Sequence, residues 1–166
     1  MWTIILLLGG ACLPITGGAA EGSRAAHEAP NWQLQGVERS PPVDFYAATE
    51  GYATVLFFWA TWCPYCRVLL PDLEAVREEF VDKPVKFYAL NVWEDGDPKS
   101  YLRKHGFGFE LLLNADGVAE QYGVKGTPGV WLIDENKQVK YVRLSGDKPA
   151  AVARALRTEL KALYPD

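Results

Sequence analysis

Cysteine is scarce in this chain, with three among 166 residues. That count excludes a small fold stapled by several disulfides. Histidine is scarcer, at two, so a four-ligand zinc centre is hard to assemble. Cys63 and Cys66 could supply half of one, but His27 and His105 lie near neither. No long basic run is present and net charge is −4, so nothing supplies a surface that tracks nucleic-acid phosphates. Internal repeats and a second domain are also missing. The one strongly apolar opening run is too short, and turns too soon to glycine and proline, to span a bilayer comfortably. What remains is 49% apolar and 23% charged, a globular balance in a chain long enough for one real core.

Residues 1–20 read as an export signal. Ile4-Ile5-Leu6-Leu7-Leu8 is its apolar centre, and Gly18-Ala19-Ala20 offers small residues for cleavage before Glu21. Its one departure is the lack of Lys or Arg ahead of the apolar centre. Lipid attachment at Cys12 is a weaker alternative, because Gly9 stands where an aliphatic residue is wanted. Residues 21–30 are small and polar and read as a flexible lead-in, leaving one domain over 31–166. Cleavage at this point leaves Cys63 and Cys66 as the only cysteines.

That pair sits in Trp62-Cys63-Pro64-Tyr65-Cys66, after the apolar run Val55-Leu56-Phe57-Phe58-Trp59. A helical stripe at Leu69, Leu73, Val76 and Phe80 follows it. A strand entering a Cys-x-x-Cys turn at a helix start is a dithiol redox site by geometry. Two intervening residues bring the sulfurs within reach of an ordinary disulfide. The first cysteine lies at the helix N-terminus, where unpaired N–H groups and the helix dipole favour a thiolate. The second lies one turn further in, shielded.

Strands are expected at 32–37, 43–46, 52–59, 85–92, 111–113, 129–134 and 138–144, the last two forming a hairpin. Helices are expected at 63–81, kinked at Pro71, and at 99–105, 118–122 and 149–164. Val152, Leu156, Leu160 and Leu163 share one face of the final helix. This order implies an α/β fold, a central mixed sheet with helices on both faces.

The order of elements, together with the cysteine motif, resembles the thioredoxin superfamily, and within it the exported TlpA-like branch that includes the thioredoxins of cytochrome c maturation. Four stretches carry the resemblance: Phe58-Trp59-Ala60-Thr61-Trp62-Cys63-Pro64-Tyr65-Cys66-Arg67; Pro71; Tyr122-Gly123-Val124-Lys125-Gly126-Thr127-Pro128; and Trp131-Leu132-Ile133-Asp134. The helix and short strand inserted between Lys99 and Asn114 also look like this branch. The resemblance implies a thioredoxin-like fold and a thiol-disulfide oxidoreductase that reduces disulfides in partner proteins through a Cys63–Cys66 couple. It implies a cis peptide bond before Pro128, a docking rim of Trp62, Pro64, Tyr65, Thr127 and Pro128, and no cofactor or metal. The partners implied are a disulfide-containing client and a membrane-embedded thiol electron donor. The expected setting is the bacterial periplasm, with the protein a soluble monomer.

Two positions depart from that pattern. Ordinary thioredoxins carry a buried aspartate where this chain has Phe57, and the TlpA-like branch a glutamate where it has Leu69. Neither position supplies a carboxylate for the proton of Cys66. Oxidase or isomerase activity is the alternative within the same chemistry. Pro64-Tyr65 also occurs between the cysteines of glutaredoxins, but the inserted elements and export signal argue against glutathione use. Outside this chemistry, the thiols could hold copper(I), or serve a thioredoxin-like client assembly factor as a handle. Related copper proteins space their cysteines by three residues and add a distant histidine. Glu94, Asp95 and Asp97 read as a solvated loop, His105 as an exposed helix position, and Lys125 as a surface residue.

Overall fold

The computed structural model describes residues 27–37, 41–143 and 146–165. The expected export signal lies outside them. In chain order the elements are β1 (Gln33–Leu34), β2 (Val43–Asp44), α1 (Phe45–Ala48), β3 (Ala53–Trp59), α2 (Pro64–Glu79), β4 (Val85–Asn91), α3 (Pro98–His105), β5 (Glu110–Leu112), α4 (Asp116–Gln121), β6 (Gly129–Ile133), β7 (Val139–Val142) and α5 (Pro149–Leu163).

β3 is buried along its whole length, as a strand covered on both faces must be. Its side chains alternate: Val55, Phe57 and Trp59 enter one core cluster, Leu56 and Phe58 the other. The five-stranded sheet runs β5-β4-β3-β6-β7. β4 is parallel to both β3 and β5, whereas β6 is antiparallel to β3 and β7. On one face lie α2 and α5, with Leu69, Leu73, Leu156 and Leu160 in the core beside both cysteines. Leu102 of α3 joins that cluster. The other face is closed by Phe45 of α1, by Val118 and Ala119 of α4, and by Trp32. This is the thioredoxin-like arrangement, a mixed central sheet with helices on both faces.

Local structure departs from the sequence reading, or adds to it, at four points. Phe45 and Tyr46, expected in a strand, begin a short helix. Asp44 caps it by accepting the Ala47 N–H at 3.1 Å, and that local bond overrides aromatic strand preference. The hairpin of β1 and β2 is a separate two-stranded sheet. Residues 27–30, the end of the expected lead-in, run beside the start of β7. There Val139 N–H donates to the His27 carbonyl at 3.0 Å and Ala29 N–H to that of Lys137 at 2.7 Å. Helix α2 passes Pro71 as one element, with Pro71 on its exposed side, where solvent can satisfy the carbonyl a proline ring leaves unpaired.

Candidate active site

β3 delivers the chain to the carboxyl edge of the sheet, and Ala60, Thr61 and Trp62 turn it into α2. Cys63 is the N-cap of α2 and Pro64 occupies the first turn. Proline suits that position, since its missing N–H would have no helical partner and its φ is already helical. Cys63 and Cys66 are joined as a disulfide, with Cα atoms 5.3 Å apart. Cys63 Sγ accepts the Cys66 N–H at 3.1 Å, the bond a capping oxygen would make. On reduction the same N–H and the positive end of a 16-residue helix face whichever charge Cys63 carries. Cys66 has no solvent exposure and shares its cluster with Phe57, Trp59, Leu69 and Leu70. The two positions lacking the pattern's acids thus lie in the apolar shell of the pair.

The turn is held from several sides. Arg67 reaches back from α2 and donates through Nε to the Thr61 carbonyl at 2.7 Å. Glu94, read from sequence as part of a solvated loop, is half-buried and gathers the turn. Its carboxylate accepts from Thr61 N–H at 2.9 Å, Thr61 Oγ1 at 2.5 Å and Asn91 Nδ2 at 2.6 Å. It also accepts the N–H groups of Asp95 at 3.1 Å and Gly96 at 2.9 Å. Burial pushes the Glu94 carboxyl up, but the donors, led by Thr61, outweigh it and hold its pKa below the ordinary carboxylate value. A β-carbon at Gly96 would stand 2.5 Å from Thr61 Oγ1, so this loop approaches the turn as closely as only glycine permits. Asp97 is not a bystander either, since it caps α3 by accepting the Ser100 N–H at 2.9 Å.

Trp62 is about half exposed and donates its indole N–H to the Trp93 carbonyl at 2.6 Å. Trp93, with φ +48°, sits in the left-handed region. Asp116 accepts its N–H at 2.9 Å, so both ends of that strained residue are tied. Across the turn, the Thr127–Pro128 peptide bond is cis. Tyr65, Thr127 and Pro128 line one groove of about 730 Å³, which brings the middle of the cysteine motif and the proline loop together. Trp62 and Pro64 are not part of its wall. Sheet order explains the division. The loop after β4 and the loop before β6 both emerge at the end of β3 where the cysteines sit, on opposite sides of it. One flank therefore carries Trp62, Trp93 and the acidic loop, and the other carries Thr127, Pro128 and the groove.

Among the described residues no group of three or more His, Cys, Asp or Glu is placed to hold a metal ion. No helix among them is long and apolar enough to cross a membrane.

Residues 25–142 match the AhpC/TSA family. The thiol-disulfide oxidoreductase ResA of Halalkalibacterium halodurans is 26% identical over 126 residues, covering 75% of this chain and 70% of that protein. The thiol:disulfide interchange protein DsbE of Escherichia coli K12 is 30% identical over 141 residues, covering 81% and 71%. A thiol:disulfide interchange protein of the thioredoxin family from Chlorobium tepidum superposes with a TM-score of 0.67 at 25% identity, over 81% of this chain and 97% of that one.

Proposed function

The chain belongs to the AhpC/TSA family, as a thiol-disulfide oxidoreductase of the TlpA-like branch of the thioredoxin superfamily, and from that premise we propose that it reduces disulfides in partner proteins with Cys63 as nucleophile and Cys66 as resolving thiol. The Cys63 thiolate attacks one sulfur of the client disulfide. A mixed disulfide forms, and the client's other sulfur leaves as a thiolate that takes a proton. Cys66 gives up its proton and attacks Cys63 Sγ. The second client sulfur leaves, so the client gains two electrons and two protons and Cys63–Cys66 is oxidised. Tyr65, Thr127 and Pro128 dock the client on one side and Trp62 and Pro64 on the other, with the Thr127 backbone pairing to an extended client segment.

The observation that carries this reading is the capping geometry at Cys63. Its sulfur takes the place of a capping oxygen, with a backbone N–H already aimed at it. The proposal includes export to the bacterial periplasm, action as a monomer, and a membrane-embedded thiol donor that restores the dithiol. An oxidising compartment makes such a donor necessary. Apocytochrome c is a client class that fits.

A Cys66→Ser variant tests the roles. It should accumulate a stable client adduct through Cys63, while Cys63→Ser should not accumulate one through Cys66. Equal adducts from both variants would reverse the assignment. The reduction potential of the couple, followed by tryptophan fluorescence in a thiol buffer series, tests direction. A value near about −250 mV or lower marks a reductant, and one near about −120 mV an oxidant.

A further inference from the structure

The groove beside Pro128 is lined by more cations than carboxylates. The chain carries −4. Yet the groove wall holds Lys125, Arg143 and Lys148 against a single carboxylate, Asp147. Arg143 spends its hydrogen bonds on neutral acceptors, donating to the Pro128 carbonyl at 3.0 Å and the Asp147 carbonyl at 3.2 Å. Lys125 and Lys148 are exposed, and neither has an ion-pair partner among the described residues. The positive end of α5 opens at the same wall. Its N-cap is Lys148, which makes no side-chain capping bond there. The other flank of the cysteine turn carries Glu94, Asp95 and Asp97. The site is thus polarised across the disulfide, basic on the proline side and acidic on the Trp62 side.

We propose that the groove binds an acidic segment of the client polypeptide next to the disulfide under attack, with Lys125 and Lys148 as the residues that select it. This rests on the redox reading above and deepens it. Tyr65 and Pro128 border the groove on the cysteine side, so a segment lying in it is continuous with a sulfur presented to Cys63. Opposite charge raises the encounter rate, and the acidic flank repels the same segment in the reversed orientation. Charge complementarity therefore fixes which way a client strand runs across the motif as well as which client is favoured.

The test uses the full chain, reduced and freed of reductant, with three peptides of equal length carrying one disulfide each. Acidic, neutral or basic residues flank the disulfide, and tryptophan fluorescence follows oxidation of the protein in stopped flow. At low ionic strength the acidic peptide should react roughly tenfold faster than the basic one, and the ratio should fall toward one in molar salt. The double variant Lys125→Glu/Lys148→Glu should invert the ratio. Because the readout is a ratio within one protein, a general loss of activity does not imitate it. A ratio of one in the wild type, or a ratio the double variant leaves unchanged, overturns the proposal. So does a preference shown for glutathione disulfide but not for the acidic peptide, which would assign the groove to a small anion. Failure to react with the neutral peptide as well would overturn the redox reading itself, and this proposal with it.

Discussion

Glu94 ties together two loops that the sequence keeps 33 residues apart, through its bonds to Thr61. Replacing it with Gln keeps the shape but turns an amide NH2 toward N–H donors. The variant should lose about 1–2 kcal/mol at neutral pH, the low end for a charged acceptor because the site is only half-buried. The folded-state pKa of Glu94 lies below the ordinary 4.5, so the wild type's advantage is complete above that value and is lost as pH falls through the depressed one. Urea midpoints for both proteins, measured from neutral to acidic pH, check this. At Leu69, which is 1% exposed beside the cysteines, Leu69→Glu should speed release of the mixed disulfide at a cost in stability. Release no faster than wild type would show that the absent carboxylate does not limit Cys66. The cysteine pair and its capping position were legible because each follows from a few neighbouring residues, and the cis bond at Pro128 because the family resemblance implies it. The role of Glu94 was not legible. Its neighbours Asp95 and Asp97 made it look like part of a charged loop, and its partners become visible only once β3 and β4 lie side by side.

Among the elements, α2 is fastened twice. Against α5, Leu156 is fully buried in the cluster that holds the cysteines, and Leu156→Ala should cost about 2–5 kcal/mol in chemical denaturation. The ion pairs of Glu79 with Arg157 and Lys161 join the same two helices, but they are partly exposed and contribute far less. Toward the inserted segment, Glu74 accepts from Arg77 Nη2 at 2.6 Å and from the Gly108 N–H at 3.0 Å. Glu74→Ala leaves that N–H and guanidinium without their acceptor, and it should lower stability by about 1–3 kcal/mol in the same assay. Most elements were legible from periodicity to within a residue or two, because their buried stripes are long. The short ones near the start were not. Four residues after Asp44 are too few for a period, and the capping bond of that aspartate decides their conformation.

For the whole molecule, the N-terminal stretch matters more than its composition suggests. His27, Glu28, Ala29 and Pro30 carry no hydrophobic pattern, yet Tyr122 and Tyr46 donate to the carbonyls of Pro30 and Ala29 at 2.8 and 2.7 Å. Those bonds to distant side chains are invisible in a local reading. The stretch from Glu28 to Gly36 meets the sheet at both ends of the strand order. Glu28 bridges Gln138 beside β7, and Gly36 bridges Leu112 of β5. A chain shortened past Gly36 should form larger species as concentration rises, a trend that static light scattering would detect and the intact chain should not show. Detaching one segment bares two borders at once, and they lie on opposite sides of the particle. A body with two adhesive ends facing apart cannot close into a pair. Each shortened chain would instead offer a border to a neighbour on either side, the arrangement that builds rings or open filaments.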